Sequence, residues 1–380
     1  MITKLDIQEK DGFLIMEDFP TNCIFNTVKT GCGATTIALT NSENYIIAVP
    51  TTELIENKCY PIKDAEGNVK FWKKHERRAG LSPIVANLFG LYGNFTLELK
   101  KKLKDYLSST GIKKIICTYD KIDKLMEFIN PIEFKLMIDE YHNFLKQYSF
   151  RDKAINGVLA HFKEFKSYCF LSATPIPNNL KPAIFNDITE YMADWNTTDE
   201  ITVYPYHTNT PYMVAAKFIK TYQAKGCLNV NGIESKEAYF FINSVTEIKA
   251  ILKQTQLTED DYRIICADNP KNRKTLEGYT ISSSADAPKK FNFITSKSFE
   301  GVDFHSETGL CFVVSNVQNR HTLVSIDMDI PQIVGRIRTK SNPFRNKVVH
   351  IFNTKATDHY TTFEDMKLIV DEEVKAAQER

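Results

Sequence analysis

The chain lacks the marks of a small secreted, fibrous or membrane protein. Its eight cysteines stand singly and make no C-x-x-C pair, so neither a zinc site nor a disulfide framework is expected. Several lie in apolar runs (Ile115-Ile116-Cys117, Tyr168-Cys169-Phe170, Ile264-Ile265-Cys266), where a thiol behaves as a small buried hydrophobe. Glycine and proline number only 15 and 14 in 380 residues, and aromatics make up 12%, which excludes a collagenous, low-complexity or disordered chain. An excess of one charge is also missing. The 48 basic and 47 acidic side chains leave a net charge of +1, so any nucleic-acid site must be a local patch rather than a global attraction. No run approaches the ~18 apolar residues of a membrane span, and the N-terminus has no basic-then-apolar leader. A cytoplasmic protein with no membrane partner is expected.

What is present is a repeating strand-and-helix pattern. At about one domain per ~150 residues the length allows two or three domains. Apolar runs of strand length occur at Tyr45 to Val49, Ile112 to Cys117, Phe134 to Ile138 and Tyr168 to Leu171. Helical segments alternate with them at Thr51 to Lys58, Leu97 to Leu107 and Asp120 to Phe128. That alternation predicts a parallel sheet covered on both faces. A second series follows at Ala238 to Ile242, Arg263 to Cys266, Phe291 to Ile294, Leu310 to Val314 and Val348 to Phe352. Two α/β units are the economical solution. The polar, turn-rich stretch from Ala193 to Pro211 is the linker candidate, which divides the chain into 1–204, 205–355 and a charged helical tail over 356–380.

Five segments carry the residue types of nucleotide chemistry. In Lys29-Thr30-Gly31-Cys32-Gly33-Ala34-Thr35-Thr36, glycines let backbone N–H groups approach a polyphosphate. Leu136-Met137-Ile138-Asp139-Glu140-Tyr141-His142 delivers two adjacent carboxylates at a strand end, one to hold Mg2+ and one to orient a water. Leu171-Ser172-Ala173-Thr174-Pro175 is a hydroxyl-rich turn. Ile294 to Phe304 and Gln332-Ile333-Val334-Gly335-Arg336-Ile337-Arg338 complete the set, the arginines being able to reach a phosphate from a second domain. Taken singly, each has an ordinary explanation: a structural turn, two solvated acids, a wet helix face.

Their joint order resembles the superfamily-2 helicases, the DEAD/DEAH-related nucleic-acid-dependent ATPases. Thr30 to Thr35 resembles motif I, Ala48-Val49-Pro50-Thr51 motif Ia, Asp139-Glu140-Tyr141-His142 the DExH form of motif II, and Ser172-Ala173-Thr174 motif III. Phe240 to Ser244 is similar to motif IV, Gly301-Val302-Asp303 to motif V, and Gln332 to Arg338 to motif VI. The resemblance implies two tandem RecA-like α/β domains, with ATP between them and a single strand of DNA or RNA across the top. It implies nucleotide contacts at Thr30, Gly31, Cys32, Gly33, Ala34, Thr35, Thr36, Gly301 and Asp303, and Mg2+ at Thr35 and Asp139. Glu140 would position the hydrolytic water, with Gln332, Arg336 and Arg338 meeting the phosphates on closure. Thr51, Thr118, Ser244 and Thr295 match nucleic-acid positions. Ser172 and Thr174 would couple the strand to the nucleotide. The expected activity is an ATP-dependent helicase or translocase, more in keeping with DNA, acting in replication, recombination or repair with proteins of those pathways.

Two departures stand out. Ala34 occupies the place of the motif I lysine, and losing one preorganised contact to developing charge costs about 3 kcal/mol, roughly a hundred- to a thousandfold in rate. An introduced alanine that traps ATP, a natural branch compensated by another cation, and a degenerate ATPase kept as a clamp all remain open. Lys29 is the substitute offered by the loop itself. In motif VI, Arg338 follows Arg336 by two residues and position 339 is Thr339, an arrangement resembling viral origin-binding replication helicases and pointing to a phage or mobile-element protein in its host's cytoplasm. The alternatives are a hydrolysis-deficient clamp and a structural protein that retained the fold. For the strand, Lys70-Phe71-Trp72-Lys73-Lys74-His75-Glu76-Arg77-Arg78 is either a phosphate-and-stacking surface or a solvated charged helix.

Overall fold

The computed structural model describes residues 2–195, 200–299, 302–326 and 328–355, together with 362, 364, 365, 367 and 368; of these, the side chains of Lys74, Ser149, Phe150 and Asn179 are not described. Gly301 and most of the tail expected to be helical therefore lie outside the described residues.

Two large sheets account for the fold. In the first, the spatial order is Ile2–Asp6, Thr189–Asp194, Cys23–Asn26, Ser167–Ser172, Lys135–Asp139, Tyr45–Val49, Lys114–Thr118, Leu88–Leu91 and Gly80–Leu81. Every neighbouring pair is parallel except the short edge pair Gly80–Leu81 with Leu88–Leu91. In the second, the order is Thr202–His207, Lys347–Phe352, Gly309–Val314, Glu237–Phe241, Phe291–Ile294 and Tyr262–Ile265, parallel throughout. The stretch read as a linker thus carries an edge strand of the second sheet from Thr202 to His207.

The strands are apolar on both faces because both faces are covered. Ile46 and Ala48 belong to one cluster, while Tyr45, Ile47 and Val49 belong to the cluster on the opposite face. Ala238, Phe240 and Ile242 likewise face away from Tyr239 and Phe241 in the second sheet. The helix Leu97–Ser108 buries Leu99, Leu103 and Tyr106 at helical spacing, and the Thr96 hydroxyl caps it by accepting from the Leu99 N–H at 3.2 Å. Leu88–Leu91 had no clear strand signal because Gly90 interrupts it. A Cβ there would stand 2.9 Å from Cys59 Sγ, so glycine is what allows the helix Thr52–Cys59 to lie close against this strand. No helix among the described residues is long and apolar enough to cross a membrane.

This topology has a direct consequence for the site. Cys23–Asn26, Ser167–Ser172 and Lys135–Asp139 are adjacent in the first sheet, so the segments that follow them emerge side by side at the carboxyl ends, where open parallel sheets bind ligands.

Candidate nucleotide and nucleic-acid sites

The loop after Cys23–Asn26 is anchored before it turns. The Thr27 N–H donates to the Ser172 carbonyl at 2.8 Å, and the Trp195 indole donates to the Thr27 carbonyl at 2.6 Å. Gly31 and Gly33 then take φ of +66° and +80°, left-handed values that turn successive N–H groups into a concave, anion-accepting nest. From the other side the Leu14 N–H donates to the Cys32 carbonyl at 2.8 Å, tying the loop to the hairpin Gln8–Lys10 and Phe13–Ile15. The helix Ala34–Thr40 follows with no side-chain cap.

Asp139 ends its strand buried, and Thr35 donates its hydroxyl to Asp139 Oδ2 at 3.1 Å. Burial raises the Asp139 carboxyl above its usual range, with the Thr35 hydrogen bond and the nearby Lys58 ammonium pulling it back. Glu140 adopts φ +55°, a left-handed conformation uncommon for a side chain of this size. Tyr119 holds the turn by donating toward the carbonyls of Asp139 at 2.5 Å and Glu140 at 3.1 Å. Glu140 Oε2 lies 3.3 Å from His142 Nδ1, which is also 2.8 Å from Ser172 Oγ.

The second unit closes against this edge. Gln332, fully buried, donates to Glu140 Oε2 at 3.5 Å. Arg336 donates to the Gln332 carbonyl at 2.7 Å and to Gln332 Oε1 at 3.1 Å. Arg338 donates to Asp303 Oδ1 at 2.6 Å and packs directly on Gly31, where a Cβ would fall 1.8 Å from its Nη1. Around Asp303, desolvation favours the neutral acid, but Arg338, Arg336 and Lys58 outweigh it and hold the carboxyl well below its ordinary range. Lys340 reaches the Asp11 carbonyl at 2.6 Å.

Between the units is a cavity of about 600 Å³ lined by Thr30 through Thr36, Asp139, Glu140, Asp303, Arg336 and Arg338. Glycine backbone, a buried acid with a hydroxyl on it, and two guanidinium groups suit a polyphosphate carrying a divalent cation. Among the described residues no three His, Cys, Asp or Glu side chains form a metal cage. A single carboxylate completed by hydroxyl, phosphate and water oxygens is the sparse set that Mg2+ accepts. Leu54, Asn57, Lys58, Lys340 and Arg345 line the same cavity without a sequence signal, because each comes from a segment that reads as an ordinary helix or turn.

A larger cleft of about 1080 Å³ also runs between the units, lined by Thr51, Ser244 and Thr295 and by Arg77, Lys146, Arg151, Lys271 and Lys297. Thr51 and Ser244 also cap helices, accepting from the N–H groups of Leu54 and Glu247 at 3.4 Å each. Most of the charges are matched: Lys297 with Glu53 and Lys146 with Asp329 at 2.8 Å across the cleft, and Arg77 with Glu56 within the first unit. Thr118, Ser172 and Thr174 are buried and line neither cavity. Ser172 and Thr174 instead form an internal turn, the Thr174 N–H donating to Ser172 Oγ at 2.9 Å. The basic segment at 70–78 is not a long helix but a loop with one short turn at Lys74–Glu76. Lys70 lies over the Trp72 ring at 4.0 Å, and the Trp72 indole donates to the Pro61 carbonyl at 3.1 Å.

Two parallel sheets facing each other across nucleotide-type residues define a tandem RecA-like architecture. Among solved structures the chain is similar to the Mycobacterium smegmatis helicase Lhr bound to ssDNA and AMP-PNP, with TM-score 0.53, 12% identity, and coverage of 89% of this chain and 44% of that one. The chain thus spans less than half the length of Lhr. S. cerevisiae Dbp5 aligns at TM-score 0.49 and 12% identity over 94% of this chain and 89% of that one. A DEAD box protein from Methanococcus jannaschii aligns at 0.34 and 15% over 95% and 87%. No protein-family model and no curated protein matches the chain.

Proposed function

We propose that the chain is a nucleic-acid-dependent ATPase that couples closure of its two units to movement along a single strand, with DNA favoured over RNA and a role in replication, recombination or repair, in a phage or mobile element. The observation that carries this is the convergence of Thr35, Asp139 and Glu140 from one unit with Arg336 and Arg338 from the other on a single cavity, with the buried Gln332 linking Glu140 to Arg336. Asp139 and Thr35 would hold Mg2+, which would supply charge to the phosphates, the loop from Thr30 to Thr36 and Asp303 would hold the nucleotide, and Glu140 would orient water. ATP, when bound, supplies the phosphoanhydride whose cleavage separates the closed and open states. Arg336 and Arg338 bring positive charge to the phosphates only when the units meet, which makes hydrolysis depend on closure. Ala34 favours a second reading, an ATP- and nucleic-acid-binding clamp that does not cycle. ATP turnover with and without single-stranded DNA and RNA separates the two: stimulated turnover supports the motor, and turnover appearing only after Ala34→Lys supports the clamp.

Closure itself is testable at Gly335, where a Cβ would fall 2.0 Å from Thr30 Oγ1 across the interface. Gly335→Ala is expected to lower turnover by about tenfold to a hundredfold, the scale of a small misplacement of catalytic groups. Nucleotide binding and the unfolding temperature should change little. Unaltered turnover would show that hydrolysis does not need this approach.

The strand is proposed to occupy the larger cleft, with Thr51, Ser244 and Thr295 contacting its backbone, Thr118 supporting it, and Ser172 and Thr174 transmitting its presence to His142 and Glu140. Because most cleft cations are already paired with acids, backbone contacts there rest on hydroxyls and on Lys271, which makes no ion pair among the described residues. Lys271→Ala should weaken single-strand binding and reduce the slope of log affinity against log salt by about 0.7, the counterion release of one phosphate contact. An unchanged slope would remove Lys271 from the contact surface.

A further inference from the structure

We infer that Lys58 supplies the phosphate-binding cation that the loop lacks at Ala34. This rests on the nucleotide reading of the cavity and names the residue that makes it workable. The helix Thr52–Cys59 stands between the two clefts. Its Leu54, Asn57 and Lys58, spaced i, i+3 and i+4 on one face, line the nucleotide cavity, whereas Thr52, Glu53 and Glu56 line the larger cleft. Among the described residues Lys58 makes no side-chain hydrogen bond or ion pair; it lines the cavity with Asp139 and Asp303, and its ammonium favours the ionised form of both. Most other cations at this cavity have partners. Lys340 is bound to the Asp11 carbonyl, Arg338 to Asp303, and Arg336 to Gln332. Arg345 also lines the cavity and makes no side-chain ion pair among the described residues, but the charges acting most strongly on Asp139 and Asp303 include Lys58 and not Arg345.

Lys29, the cation within the loop, also lines this cavity but has other neighbours. Its ammonium lies 5.0 Å from the centre of the Trp195 ring and against Gly12, 3.7 Å from where a Cβ would stand. It packs on the hairpin and the end of the first sheet. Lys58 lines the cavity with Asp139, the acid expected to hold Mg2+, and with Asp303, and its charge acts on both. An ammonium there balances the carboxylates until phosphate arrives and then has a stronger partner, a compact point charge suited to a terminal phosphate. The same helix presents Glu53, paired with Lys297, and Glu56, paired with Arg77, to the other cleft. A shift of Lys58 toward phosphate would therefore be felt where the strand is proposed to lie.

The test measures binding of fluorescent ATP and ADP analogues, together with turnover, for the full chain, Lys58→Met, Lys29→Met and the double variant Lys58→Met with Ala34→Lys. Lys58→Met should weaken ATP relative to ADP by about tenfold or more, the worth of one charge-assisted contact, and lower turnover about a hundredfold. Restoring a lysine at position 34 should recover the ATP preference. Lys58 also lies in the last turn of its helix, where a cation favours the helix end. A lower unfolding temperature with an unchanged ATP-to-ADP ratio would overturn the inference and leave only that structural role. Loss of the ATP preference in Lys29→Met alone would assign the cation to the loop instead. If the unaltered chain binds neither nucleotide, the nucleotide reading itself fails. If it binds both and Lys58→Met changes nothing, only this inference fails.

Discussion

Glu140→Gln is expected to lower ATP turnover by about 10²- to 10⁴-fold, the usual range for a positioned acid–base group, while leaving nucleotide affinity within a small factor. The substitution keeps the shape of the side chain and an acceptor oxygen for Gln332 Nε2, now 3.5 Å away, but removes the charge that draws a proton from water. The backbone should tolerate it, because the left-handed turn at Glu140 is held by Tyr119 through the main-chain carbonyls rather than by the carboxylate. Single-turnover kinetics with a nucleotide-binding control makes the measurement. Undiminished turnover would remove Glu140 from the chemistry, and loss of binding as well would mean that the turn itself had been disturbed.

Arg336→Ala is expected to cost about 10³-fold or more in turnover, as for arginines that reach a transferring phosphate across an interface, and also to destabilise the second unit. Arg336 is 3% exposed. It donates to the Val302 carbonyl at 3.3 Å and to both the backbone and side-chain oxygens of Gln332, so truncation leaves buried acceptors unsatisfied. Arg336→Lys separates the two effects. It keeps the charge but loses the fork that spans two acceptors, so it should recover much of the stability and little of the rate. A double-mutant cycle between Gln332→Ala and Glu140→Gln then asks whether the chain Arg336–Gln332–Glu140 acts as a unit: independent sites would add, and a connected set would not. Full activity in Arg336→Lys would reduce the residue's role to a charge.

Much of the architecture was legible because buried parallel strands are nearly all apolar. Tyr45 to Val49 and Phe291 to Ile294 were read with their observed bounds, and the other runs shifted by a residue or two. Ten of the described strands were missed, among them three that carry a different signal. Leu88–Leu91 is interrupted by Gly90, Cys23–Asn26 is short and ends in a buried Asn26 bound to Glu190 at 2.6 Å, and Thr202–His207 is an exposed edge strand that reads as polar. The basic segment at 70–78 was ambiguous because composition does not say where a charge points. Its Arg77 turns inward to Glu56 and Ser283, while its neighbours stay at the surface.

By itself the sequence determined the order of the chemical segments, the pairing of each with a strand end, and the anomaly at Ala34. These are local properties: strand burial sets hydropathy, and a tight loop favours glycine where φ is positive. Only the tertiary structure decided which side chains share a space. It packed Arg338 on Gly31, linked Gln332 to Glu140, and turned Ser172 and Thr174 inward. It also directed the Lys58 face of an otherwise ordinary helix toward Asp139 and Asp303. A cation of this kind leaves no motif, because its position depends on the angle at which a helix crosses a sheet and on the closure of a second domain, and neither is written in the spacing of nearby residues. The low cysteine, glycine and proline content and the balanced charge had pointed to two well-cored units with no global pull on nucleic acid. The structure adds that the balance holds within the larger cleft as well, where most cations face a carboxylate.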